Sequence, residues 1–134
     1  MNKFWILLAL VLLASGIVLA PHIWNSTENG PDIVDPSVFL GCYGSRTDKI
    51  TVEQNLITVA RTHQSIRIVR FFYLKTEAAV ETIRNLEIDV NSNNLHVGQA
   101  STGFFYKFDD QYRPSALLVP DDGGTLRRLN RINC

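Results

Sequence analysis

Residues that commonly carry chemistry are scarce in this chain. Three histidines, two cysteines and one methionine are spread over 134 residues, and His22, His63 and His96 share no metal-ligand spacing. There is no glycine-rich phosphate loop, no G-x-S-x-G elbow, no H-E-x-x-H and no C-x-x-C. The local signatures of nucleotide-dependent enzymes, hydrolases, zincins and thioredoxin-like proteins are therefore missing, and no cofactor or metal is expected. An excess of one charge is missing too: 13 basic and 13 acidic residues give a formal net charge of zero. No global field recruits nucleic acid. Internal repeats and low-complexity tracts are also absent.

What stands out instead is a long apolar run. Phe4 to Leu13 is unbroken, Ala14-Ser15-Gly16 leads to Ile17-Val18-Leu19-Ala20, and Pro21 follows. From Phe4 to Ile23 is about 20 residues, which at about 1.5 Å each make roughly 30 Å, the thickness of a bilayer's hydrocarbon core. The apolar part of a secretory signal is shorter, about 7–15 residues. Trp5 and Trp24 bracket the run at the spacing of two membrane interfaces. Val18 and Ala20 suit a cleavage site, but Pro21 hinders the cut there and leaves the poorer Ala14-Ser15-Gly16. Lys3 precedes the run while Glu28, Asp32 and Asp35 follow it, which predicts a cytoplasmic N-terminus. Residues 1–24 thus read as a retained transmembrane helix lying in the lipid bilayer, with the rest in the periplasm or extracellular space. Secretion after signal cleavage is the alternative. A buried core helix is disfavoured, because a segment apolar on every side lacks a covering partner in so small a protein.

Residues 25–36 are polar and punctuated by Gly30, Pro31 and Pro36, and read as a linker. Asn25-Ser26-Thr27 also matches a glycosylation sequon. Residues 37–134 suffice for one domain with one core. Outside the cytoplasm, Cys42 and Cys134 read as a disulfide that staples the first strand to the last.

The domain reads as all-β: an antiparallel small barrel or sandwich of about eight strands. Asp48 to Glu53 and Leu56 to Arg61 flank Gln54-Asn55. That turn sets Val52 opposite Ile57, Thr51 opposite Thr58 and Ile50 opposite Val59, giving an apolar face and a threonine face. A further turn at His63-Gln64 predicts Ile66 opposite Arg61 and Ile68 opposite Val59. Val69 and Arg70 break the alternation, as a bulge does. Residues 76–85 suit either one short helix or a strand plus loop. Leu86 to Val90 and Leu95 to Val97 alternate around Asn91 to Asn94, and strands are expected at Phe104 to Phe108, Ala116 to Val119 and Leu126 to Ile132. In strand phase Val38, Leu40 and Cys42 share a face. A barrel is preferred because closure leaves no exposed edge. The Gly41-Cys42-Tyr43 opening resembles the Gly-x-Trp opening of lipocalin-like barrels, with Tyr43 in place of tryptophan; the resemblance implies a pocket at one barrel mouth for a small apolar ligand.

Candidate contacts with a ligand or partner are Arg61, Arg67 and Arg70, which paired strands can bring together, and Tyr73 and Tyr106 from two aromatic triplets. Arg127, Arg128 and Arg131 form a second basic group. Asp109-Asp110 and Asp121-Asp122 precede turn residues and read as turn aspartates rather than catalytic or calcium carboxylates. The expected function is a membrane-tethered extracytoplasmic binding or interaction module for a protein or small molecule. A small inhibitor or immunity-type protein against a secreted enzyme is the alternative, exposing a rigid loop that carries acidic residues, such as Asp109 to Pro114 or Asp121 to Gly124, and a small hydrolase ranks last.

Retention of the anchor has a direct readout. The intact mass of the protein extracted from its native membrane should include residues 1–24; a mature chain starting after Gly16 or Ala20 would refute it.

Overall fold

Alternating apolar and polar residues build strands that each bury one face, and eight of these strands close into a barrel. The computed structural model describes residues 30–99 and 103–134. The expected transmembrane segment, with Trp5 and Trp24, lies outside the described residues. In chain order the elements are a 3-10 turn (Ser37–Phe39), β1 (Gly41–Gly44), β2 (Lys49–Val52), β3 (Leu56–Val59), β4 (Gln64–Tyr73), β5 (Ala78–Thr82), β6 (Leu86–Ile88), β7 (Leu95–Val97), β8 (Phe104–Phe108), β9 (Ala116–Pro120) and β10 (Leu126–Ile132). The barrel order is β1-β10-β9-β8-β5-β4-β3-β2, with every pairing antiparallel, and β6–β7 is a separate two-stranded hairpin.

The β2–β3 register is Ile50 to Val59, Thr51 to Thr58 and Val52 to Ile57, as the short Gln54-Asn55 turn predicts. The next register differs from expectation: Ile57 faces Ile66 and Val59 faces Gln64. His63 adopts a positive φ of 56°, so the chain reverses within residues 60–63 and β4 slides by four positions. An even slide keeps every side chain on its face, and Ile57, Val59, Ile66 and Ile68 all remain in the core. The bulge expected at Val69 is present as a register shift between Ile68 and Arg70. Residues 78–82 form strand β5, not a helix. Ala78, Ala79 and Val80 are all fully buried, so this strand is covered on both faces and shows no alternation. Val38 and Phe39 belong to the 3-10 turn after Pro36 rather than to the first strand.

Both ends of the barrel are covered. At one end Phe39 packs on Phe108 and Phe71, with ring centroids 4.6 and 6.3 Å away, and Tyr43 donates a hydrogen bond to the Phe39 carbonyl (2.7 Å). At the other end the β6–β7 hairpin turns Leu86, Ile88, Leu95 and Val97 inward and packs against β3, β4 and β9. Tyr106 anchors it, accepting from Leu86 N at 2.8 Å. Burial pushes the phenols of Tyr43 and Tyr106 up to about 12, so both stay neutral donors. Residues 31–33, within the segment read as a linker, run beside the last part of β4. Tyr73 N donates to the Pro31 carbonyl (2.9 Å) and Ile33 N to the Phe71 carbonyl (2.8 Å), which covers an edge that β3 is too short to reach.

The β1–β10 seam closes the barrel with only two register pairs, Cys42 with Ile132 and Tyr43 with Arg131. The Cys42–Cys134 disulfide reinforces it, with Cα atoms 5.4 Å apart across a sequence separation of 92. Arg131 reinforces it again, donating to the carbonyls of Val38 (2.7 Å), Leu40 (2.6 Å) and Pro114 (3.3 Å). Its guanidinium lies over the Tyr43 ring, 5.7 Å from the centroid. Gly41, at φ 149°, leaves room for this: an added Cβ would stand 3.3 Å from Arg131 Nη2.

Replacing both Cys42 and Cys134 by serine should lower unfolding free energy by up to about 4–5 kcal/mol on the chain-entropy argument, read as a fall in the urea midpoint. An unchanged midpoint would show that hydrogen bonding alone holds the seam.

Candidate ligand cleft at the hairpin end

Where the hairpin meets the barrel rim, a cleft of about 280 Å³ opens between the β1–β2 turn, the hairpin and the start of β10. Ile88, Leu95 and Leu129 contribute its apolar surface, and Ser45, Asp48, Asn93, Arg127, Arg128 and Asn130 its polar groups. Gly44 shapes the turn. Its φ is 125°, and a Cβ there would lie 2.5 Å from the Asp48 carbonyl oxygen, so an alanine would force the turn open.

Asp48 is the best-placed functional group. Oδ2 accepts the Leu95 N–H at 2.9 Å, while Arg61 Nη2 donates to the Leu95 carbonyl at 3.1 Å. The two side chains therefore hold both backbone groups of one residue of β7 along its free edge. Asp48 Oδ1 is buried and makes no hydrogen bond; Arg61 Nε stands 3.9 Å away, beyond hydrogen-bond range. Arg61 nevertheless supplies the compensating charge for this buried oxygen, and the part of the carboxylate open to the cleft is the Oδ2 side.

Arg127 faces the same cleft and is held by two neighbours. Nε donates to Asp121 Oδ2 at 2.8 Å and Nη1 to Asn93 Oδ1 at 3.1 Å. Asp121 is itself buried. Burial works to raise its pKa, but the Thr125 N–H, Arg127 and the Gly123 N–H prevail and hold it below the usual carboxylate value. It is thus a turn aspartate, though a buried one.

The three arginines expected to converge do not. Arg61 grips the hairpin, and Arg67 is exposed opposite Leu56. Arg70 pairs with Asp32 at 2.9 Å and Glu81 at 3.1 Å and lies over Phe72. Tyr106 is buried inside the barrel, and Tyr73 is half-buried at the end of β4. Neither contributes to this cleft. Alternation also disperses the second basic group: Arg127 and Arg131 share a face of β10 but sit at opposite rims, and Arg128 lies on the other face. His96 meets Glu87 at 2.8 Å on the outward side of the hairpin, and neither lines the cleft. Among the described residues no group of three or more His, Cys, Asp or Glu is placed to hold a metal ion. Asp48 and Asn93 carried no local signal, because each looks like an ordinary turn residue until closure brings segments 44–48, 88–95 and 127–130 together.

No protein-family model, curated protein or solved structure matches this chain.

The other aspartate pair organises the β8–β9 loop. Asp109 Oδ1 accepts from Ser115 N (2.8 Å) and Ala116 N (2.9 Å), and Oδ2 from Ser115 Oγ and Arg128 Nη2. Burial works to raise its pKa, but these bonds outweigh it and hold the carboxyl at about 2. A folded value below the unfolded one stabilises the protein above about pH 4, and that stability is lost as pH falls through about 2. Asp109→Asn should therefore remove about 2 kcal/mol near neutrality and flatten the acid limb of the stability profile, measured by urea unfolding at a series of pH values. A profile parallel to that of the unaltered protein would contradict this account.

Proposed function

We propose that the protein is a membrane-tethered extracytoplasmic binding module, and that the hairpin-end cleft takes a small polar molecule. The observation carrying this reading is the convergence of Ser45, Asp48, Asn93, Arg127, Arg128 and Asn130 around one cleft that also has an apolar floor. A ligand that donates N–H or O–H can bond the Asp48 carboxylate beside the Leu95 N–H, the amides of Asn93 and Asn130 both donate and accept, and an aliphatic portion rests on Ile88, Leu95 and Leu129. Hydroxyl-rich and amine-bearing molecules fit this chemistry; a fully apolar ligand does not. The extracytoplasmic setting is supported by the Cys42–Cys134 bond, since structural disulfides persist in oxidising compartments, and by the length and flanking charges of the apolar run.

The test is amide NMR titration of the full chain in detergent micelles with methyl glycosides and with short alkylammonium salts. One of the two sets should shift the Asp48 and Leu95 amides in a saturable manner. Asp48→Asn, which keeps an oxygen for the Leu95 N–H but loses the charge, should weaken that binding by about tenfold or more. No saturable shift with either set would overturn the cleft as the binding site.

A further inference from the structure

We infer that the β8–β9 loop, residues 109–115, is a protein-docking element that presents Tyr112 and Arg113 to a folded partner offering a ring-sized apolar pocket with an acidic group beside it. Tyr112 is 72% exposed, Arg113 is exposed, and neither contributes to the core. A single exposed aromatic is ordinary on a protein surface; what sets this one apart is how firmly its backbone is fixed. Asp110 Oδ1 accepts both the Tyr112 N–H and the Arg113 N–H at 2.7 Å, and these bonds hold its carboxyl below the usual range. Asp109 binds the end of the loop through Ser115 and Ala116. Arg131 holds the Pro114 carbonyl, and Pro114 is buried.

The two aspartates, Arg128 and Arg131 thus hold a loop whose outward residues do nothing for the fold. A loop ordered in advance loses little conformational freedom on binding, and tyrosine and arginine are the residue types that dominate interface energetics. Charge selects the partner. Asp109 is neutralised by Arg128, Arg131 donates its hydrogen bonds to carbonyls, and Arg113 makes no salt bridge among the described residues, its charge acting on the neighbouring Asp110. Arg113, Arg128 and Arg131 against Asp109 and Asp110 leave the loop together with the adjoining part of β10 one positive charge in excess. A shallow cleft of about 530 Å³ lined by Pro114, Ser115, Arg131, Ile132 and Asn133 adjoins the loop and gives the partner's rim a place to rest. Tyr112 and Arg113 do not line the Asp48 cleft, although Arg128, which holds Asp109, does.

The test uses the full chain in its native membrane, with Gln111→p-benzoylphenylalanine as a photoreactive neighbour that leaves Tyr112 and Arg113 intact. The Gln54 position in the β2–β3 turn serves as control. Irradiation should give one discrete protein adduct from position 111 and not from 54. Tyr112→Ala, Arg113→Glu and Asp110→Ala should each lower its yield at least about fivefold, with the thermal midpoints of Tyr112→Ala and Arg113→Glu unchanged. An absence of adduct, a lipid-only adduct, an equal adduct from position 54, or an adduct indifferent to all three substitutions would overturn the proposal.

Discussion

Closure of the barrel between β1 and β10 is the constraint on which the rest of this structure depends. A sheet that fails to close leaves two open edges and a half-covered core, and here closure rests on two residue pairs. The fastenings around that seam act on both its sides. The disulfide clamps it from outside, where Cys42 lies beside Thr51, and Arg131 ties it from the rim to the 3-10 turn and the β8–β9 loop. The same arginine stacks on Tyr43, whose hydroxyl holds the Phe39 carbonyl. Seam and end cover therefore form one connected assembly.

Strand β10 organises both rims by simple alternation. Arg127, Leu129 and Arg131 share a face, and Leu129 packs against the core. Its two arginines are too polar for the interior and emerge at opposite ends. Each meets the cover at its own end: Arg127 reaches Asn93 in the hairpin turn, and Arg131 reaches the 3-10 turn. A sequence pattern that resembles a basic patch becomes two separate fastenings.

Much of the barrel was legible in the sequence because its faces differ. Thr51, Thr58 and Ser65 alternate with Ile50, Val52, Ile57 and Ile66, and a two-residue turn leaves one register for β2 and β3. The β3–β4 register is not legible, because nothing local announces that His63 takes a positive φ. Strand β5 was ambiguous because both its faces are covered, and apolar residues on both faces erase the period of two. The cleft was illegible for a different reason. Ser45, Asp48, Asn93 and Arg127 lie in separate turns and strands, and only closure puts them side by side. The arginines show the converse. Proximity along the chain suggested a cluster, and the pleat separated them.

The meander order has a kinetic consequence. Six of the eight barrel pairings join strands that are consecutive in the chain, and β5–β8 spans only the β6–β7 hairpin. These contacts close short loops and can zip outward from any hairpin. The β1–β10 pairing spans the whole domain and closes the largest loop for only two register pairs, so it belongs at the end of the folding route. Until it forms, the curled sheet carries two unpaired edges, and the late intermediate is the species most open to pairing with another copy of itself.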